Sequence, residues 1–203
     1  MAKYLAFFGA FNPPTVAHVD LSEYAMRAAG FDRVIFVPSK QSYIEGNQGK
    51  NFAFSDAERL DMFSRIAANR PWMEYTDIEL RSETQPRTYS TLQQLRDRGI
   101  CASLLLGSDK LTEFETGWKN VPEICREFGM VIMRRSNDDC EAILNSTPFL
   151  RGIRPYIQLV DTPSEYASVS SSAVRSLVLE IREAHRRLDE LVPPELNGLR
   201  EYL

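Results

Sequence analysis

A doubly wound α/β domain with a mostly parallel sheet is predicted by three observations. Short apolar runs alternate with longer amphipathic stretches along the chain. Several of the short runs stop at a glycine or a proline. No internal repeat and no Gly/Ser- or Pro-rich linker divides the 203 residues, so residues 1–203 read as a single domain. Strand–helix alternation of this kind builds crossovers, and crossovers pair strands in parallel.

The elements follow in order. "KYLAFF" (3–8) is a buried-type strand. From about residue 16, Leu21, Ala25 and Ala28 mark one helical face, which Gly30 closes. "RVIFVP" (33–38) is a second strand, ended by Pro38, and the polar, glycine-bearing stretch 39–52 is a loop. "SDAE" (55–58) has the S-x-x-E capping-box pattern and opens a helix running to about Asn69. "WMEYTDIEL" (72–80) is strand-like, "RSETQPR" (81–87) is a loop, and a helix runs from about Tyr89 to Arg98. "CASLLLG" (101–107) is a strand broken by Gly107. Residues 120–128 form a short helix with Pro122 near its start, and 129–134 and 156–160 are strands. Residues 170–188 are helical with hydroxyls at the head, and Pro193 and Pro194 precede a last short helix.

Composition narrows the function classes. Hydrophobic residues make up 43% and charged residues 26%, which suits a globular protein of this size. The net charge of −4 does not suggest a nucleic-acid partner, so any anionic substrate would need local positive contacts. Cys101, Cys125 and Cys140 are an odd set without CxxC spacing. With two distant histidines they form neither a zinc set nor a disulfide framework, which fits a reducing cytoplasm. "KYLAFF" is too short for a signal peptide, and no run approaches the roughly 18 apolar residues of a membrane span.

In such a sheet, ligands bind beyond the C-terminal strand ends, where strand order reverses. That selects loops 9–18, 39–54, 81–88, 107–118, 134–140 and 161–171. The first reads "GAFNPPTVAH" (9–18). Gly9 permits close backbone approach, Pro13 and Pro14 stiffen the loop, and His18 falls in the first helical turn with Thr15 on the same side. A helix N-terminus attracts phosphate, to which an imidazole and a hydroxyl can donate. The same residues also suit a stiff turn with a packed histidine. "SVSSSAVR" (168–175) sets consecutive hydroxyls and Arg175 at a helix start, which suits a polyphosphate or, more plainly, a capped helix. "LLLGSDKL" (104–111) puts Asp109 just past a strand and a glycine, where a carboxylate meets a ribose, a metal or the helix cap. Trp118 follows in the same loop, able to stack on a planar ring or to fill core.

Together these motifs resemble one family. "GAFNPPTVAH" resembles the [HT]xxH signature of the nucleotidylyltransferase superfamily, and "SVSSSAVR" its ISSTxIR signature, with Ser172 in the threonine place. "GSDKL…W" and "TYSTLQQL" (88–95) resemble segments of the nicotinate/nicotinamide mononucleotide adenylyltransferases. "FSDAERLDMF" (54–63) looks like their segment with an arginine, here Arg59, after a flexible loop. The resemblance runs from Lys3 to the C-terminus and implies a Rossmann-like nucleotidylyltransferase fold.

The resemblance also implies a reaction. ATP and nicotinate mononucleotide would give nicotinate adenine dinucleotide and pyrophosphate, with Mg²⁺ carried by the ATP phosphates and no covalent enzyme intermediate. By resemblance, His18 holds the ATP phosphates, Thr15 contacts the α-phosphate, and Gly9, Ala10 and Phe11 supply backbone contacts. Ser170, Ser171 and Arg175 would bind the β- and γ-phosphates, and Gly107 and Asp109 the adenosine side. Lys50 is the match to the family's loop lysine, with Lys40 as competitor. Thr88 and Trp118 would face the pyridine nucleotide, and Arg134 would reach phosphate or ribose.

The chain departs from the family pattern in three places. Thr15 stands at a position that histidine also fills, Ala17 replaces the commoner glycine, and loop 39–52 lacks a PPHK pattern. Nicotinamide mononucleotide, phosphopantetheine and a non-catalytic nucleotide-sensing role stay open as alternatives. No sequence feature sets the oligomeric state.

Overall fold

In the computed structural model, β1 (Tyr4–Gly9), β2 (Arg33–Pro38), β3 (Met73–Tyr75), β4 (Ala102–Gly107), β5 (Met130–Arg134) and β6 (Ile157–Asp161) form one sheet. The structure describes residues 2–50, 52–134, 138–166 and 168–191, with backbone only for 185 and 188–191. Strand order is β3-β2-β1-β4-β5-β6, and every pairing is parallel. The chain therefore runs outward from β1 to β3, returns to lay β4 beside β1, and runs outward again. The reversal lies between β1 and β4, whose C-terminal ends, Gly9 and Gly107, open on the same edge.

The pleat sends alternate side chains to opposite faces and so makes two cores. Leu5, Phe36, Leu105 and Val131 pack on one face with α1 (Val16–Ala29), through Val19 and Met26, and α3 (Asp56–Ala67), through Phe63. Ala6, Ile35, Leu104 and Ile132 pack on the other face with α4 (Thr88–Asp97) and α5 (Val121–Phe128). Burying each such Leu, Ile or Phe contributes roughly 1.5–3 kcal/mol. Gly30 closes α1 at φ 76°, in the left-handed region. Ser55 and Glu58 form the expected capping box of α3.

Several elements differ from the sequence reading. The stretch 39–52 is not all loop, because α2 (Gln41–Gly46) forms inside it. Fully buried Ile44 anchors this helix, and the Asp56 carboxylate accepts from the Gln41 N–H. β3 is three residues long rather than nine. After Thr76 the chain leaves the sheet edge and curls, so that Ile78 enters the core on the far face. Two six-residue helices, α6 (Cys140–Asn145) and α7 (Pro148–Ile153), lie where no helix was expected. Their N-caps, Asp139 and Thr147, were visible, but one and a half turns show too little periodicity to read. The last helix, α8, spans Ser171–Leu191, and the short helix expected after Pro194 lies outside the described residues.

Candidate active site

A cleft of about 1460 Å³ opens at the edge where β1 and β4 end. It is lined by Gly9, Ala10, Phe11 and His18 from the first loop, Lys50 from the second, Thr88 from the third, Gly107, Asp109 and Trp118 from the fourth, and Ser170 from the last.

His18 is fixed from both sides. Thr15 is the N-cap of α1 and His18 its third residue, and the two form a capping box in which the histidine ring takes the place of the usual Glu or Gln. The Thr15 backbone N–H donates to Nδ1 of His18 at 3.1 Å, and the Thr15 hydroxyl lies 2.8 Å from the same nitrogen. A backbone N–H can only donate, so Nδ1 is an acceptor and the proton of the neutral ring sits on Nε2. Burial, with the Lys50 charge second, brings the imidazole down to about 4. At neutral pH His18 is thus an uncharged Nε2–H donor on the cleft wall.

The aromatic packing behind His18 explains its neighbours. Phe11 has φ 40°, a strained backbone for a bulky residue. Its ring is buried and meets His18 edge-on at 5.1 Å, with Phe7, Phe36 and Phe63 at 5.3–5.4 Å. A Cβ on Gly9 would lie 3.1 Å from that ring, so Gly9 makes room for Phe11.

The two signature segments meet in space. Arg175 donates to the Asn12 carbonyl at 2.9 Å and to the Ser172 hydroxyl at 3.0 Å, and the Ser171 hydroxyl donates to the Pro13 carbonyl at 2.8 Å. Ser170 accepts from the Ala173 N–H and so caps α8. Of these three, Ser170 borders the cleft, while Ser171 and Arg175 stand behind it and hold the first loop.

The two candidate lysines have different surroundings. Lys40 Nζ donates to the carbonyls of Leu80 and Ser82, at 2.7 and 2.6 Å, and does not line the cleft. Lys50 does line it. Burial, then the charges of Arg175, Lys110 and Arg59, holds the Lys50 ammonium below the usual lysine range. Lys50 thus has three other cationic side chains near it although the chain is net acidic, two of them, Arg59 and Lys110, paired with carboxylates.

The remaining expected residues divide similarly. Thr88 begins α4, and Trp118 packs against Phe114 at 5.8 Å. Lys110 lies 3.4 Å from the Asp109 carboxylate. Arg134 lies outside the lining and pairs with Asp161, which raises its pKa through a side-chain hydrogen bond. Thr15 is also outside the lining, because its hydroxyl is turned to His18 and the helix start.

Three buried polar residues stand beside the cleft, of which the sequence points to Arg59 alone. Fully buried Arg59 donates to the carbonyls of Ala10 and Ser39 and to Asp56, tying the first two loops to α3. Fully buried Asn12 donates to the Phe52 carbonyl at 2.9 Å and accepts from the Phe54 N–H at 2.8 Å. It thereby fixes the chain just beyond Lys50. Glu79 is 2% exposed and lines the cleft. A carboxyl or amide inside a short apolar run was the available signal for Asn12 and Glu79. No local pattern signals the three contacts that Arg59 makes, because their partners lie on two other segments as well as its own helix.

A family model described as cytidylyltransferase-like matches residues 6–177. A protein named as a probable nicotinate-nucleotide adenylyltransferase from Cytophaga hutchinsonii is 30% identical over 85% of this chain and 83% of its own. The chain belongs to this branch of the cytidylyltransferase-like family. A similarly named protein from Fusobacterium nucleatum is 27% identical over 87% of each chain. Among solved structures, the Plasmodium falciparum nicotinic acid mononucleotide adenylyltransferase, complexed with APC, matches with a TM-score of 0.66 and 21% identity. The match covers 87% of this chain and 83% of that one, and shows the shared fold. Family membership and fold thus agree with the motif resemblance.

Proposed function

We propose that this chain transfers AMP from ATP, as its Mg²⁺ complex, to nicotinate mononucleotide, releasing nicotinate adenine dinucleotide and pyrophosphate. The observation that carries the reading is the fixed tautomer of His18 at the start of α1. An uncharged donor there can hold a phosphoryl oxygen without needing to give up its proton. As the acceptor's phosphate oxygen attacks the α-phosphorus in line, charge on the phosphate oxygens redistributes toward the leaving pyrophosphate. A preorganised N–H, a helix N-terminus and nearby cations stabilise that charge better than reorganising water does.

In this reading Lys50 neutralises the triphosphate, and Ser170 with the start of α8 receives its far end. Arg175 has two N–H groups engaged, with Asn12 and Ser172, and five to offer in all. Ser171 and Thr15 are positioning residues here. Asp109 takes the ribose and Trp118 the pyridine ring. The free cysteines at 101, 125 and 140 fit a cytoplasmic setting. No helix among the described residues is long and apolar enough to cross a membrane.

The test is pyrophosphate release from Mg²⁺-ATP with nicotinate mononucleotide, nicotinamide mononucleotide and phosphopantetheine in parallel. Preferred turnover of nicotinate mononucleotide supports the reading. Turnover of phosphopantetheine alone refutes it, and ATP binding without turnover of any acceptor assigns the chain to nucleotide sensing.

A further inference from the structure

Glu79 is a buried carboxyl with no part in the chemistry above. Both of its oxygens are used. Gln85 Nε2 donates to one, and the Thr91 hydroxyl donates to the other at 2.9 Å. The orientation of Gln85 is not arbitrary. Its Oε1 accepts from the Lys40 backbone N–H at 2.9 Å, which can only donate, so its amide nitrogen must point at Glu79. Thr91 lies in the first turn of α4 and is fully buried. Gln85 lies in the loop just before α4. The carboxylate thus grips the chain on both sides of Pro86, Arg87 and Thr88, all three of which line the cleft. From the same region the Lys40 ammonium holds the carbonyls of Leu80 and Ser82.

We infer that Glu79 is a positioning residue for the acceptor nucleotide, acting through Gln85 and Thr91 to set the 86–88 wall of the cleft. The inference rests on the reading that this wall meets the pyridine mononucleotide. It assigns Glu79 no contact with either substrate. A buried carboxyl that bridges two otherwise independent side chains trades a desolvation cost for a fixed loop. An error of about 1 Å in such a wall is enough to cost a bound substrate much of its alignment. The ATP side of the cleft has holds of its own, from Arg59, Asn12 and the start of α8, and meets this grip only at the Lys40 backbone N–H.

The experiment is steady-state kinetics on the full chain, using whichever mononucleotide the wild type turns over. A failure of the acid preference therefore leaves this test intact. Glu79→Ala should raise the acceptor KM about tenfold or more and leave the ATP KM within about twofold. Glu79→Gln should restore the acceptor KM to near the wild-type value. Its carbonyl can accept from Gln85 and its amide can donate to Thr91, whose hydroxyl then turns to the Arg87 carbonyl, 3.4 Å away. Gln85→Ala, at a less buried position, should raise the acceptor KM in the same direction and add little to Glu79→Ala. Should Glu79→Ala fail to fold, Gln85→Ala alone carries the test. Equal rises in both KM values, or full additivity of the two alanine changes, would overturn the inference.

Discussion

The backbone N–H of Thr15 donates to Nδ1 of His18 across 3.1 Å, and this one contact sets what the histidine can do. It leaves Nε2–H for the cleft and gives the ring a fixed aim. The side chain at position 15 is not needed for the tautomer, since the donor is main chain.

His18→Ala should therefore lower kcat by about 10²–10³, the usual cost of removing one preorganised donor to a developing charge. The acceptor KM should move little. Single-turnover measurement with saturating ATP isolates the step. A loss confined to ATP binding, with the transfer rate intact, would count against the assignment.

Thr15→Ala should behave differently. The variant keeps the backbone N–H and loses the cap, so its stability should fall by about 1 kcal/mol. Its kcat should drop far less than that of His18→Ala. Urea unfolding and steady-state rates on the same preparation make the comparison. If the two variants lose activity equally, the hydroxyl itself meets the substrate.

The legibility of this chain follows from the range of its interactions. Six strands, their order of appearance and the long helices were readable, because each lies in a local pattern of five residues or more, even where, as at β3, only three of those residues pair in the sheet. The [HT]xxH pair was readable as a pair because it is also a local helix cap. Arg175 was legible as a charge near serines, but its hold on the Asn12 carbonyl joins residues 163 apart. The Glu79–Gln85–Lys40 chain likewise depends on two loops meeting in space, the one after β2 and the one between β3 and α4. The trimming of β3 to three residues reflects Ile78, whose burial on the far face outweighs continued alternation at a sheet edge.

Stability against pH should show two opposed slopes. His18 falls to about 4 in the fold from an ordinary 6.5. As pH drops from 6.5 toward 4, the unfolded chain takes up a proton that the fold refuses, which costs about 3 kcal/mol. Glu79 is raised by burial to about 7 from an ordinary 4.5, the Gln85 and Thr91 hydrogen bonds opposing the rise. As pH climbs from 4.5 to 7, the unfolded carboxyl ionises first, which again costs about 3 kcal/mol. Between 4.5 and 6.5 the two effects offset each other. Glu79→Gln removes the second slope, so its Tm should gain on the wild type from pH 5 to pH 8. An unchanged Tm difference across that range would rule out the buried-carboxyl origin of the slope.

The two loop lysines should separate cleanly. Lys50 borders the cleft and lies close enough to His18 for its charge to oppose protonation of the ring. Lys50→Ala should thus cost about 10- to 100-fold in kcat/KM for ATP with little change in Tm, as expected for a lost charge on phosphate. Lys40 instead satisfies the Leu80 and Ser82 carbonyls. Lys40→Ala releases both, which should lower stability by roughly 1–3 kcal/mol. It should also loosen the loop that leads to Gln85, so its kinetic effect belongs on the acceptor KM. Saturating acceptor should then recover most of the Lys40→Ala rate and none of the Lys50→Ala loss. The reverse pattern would exchange the roles of the two lysines and return the phosphate contact to Lys40.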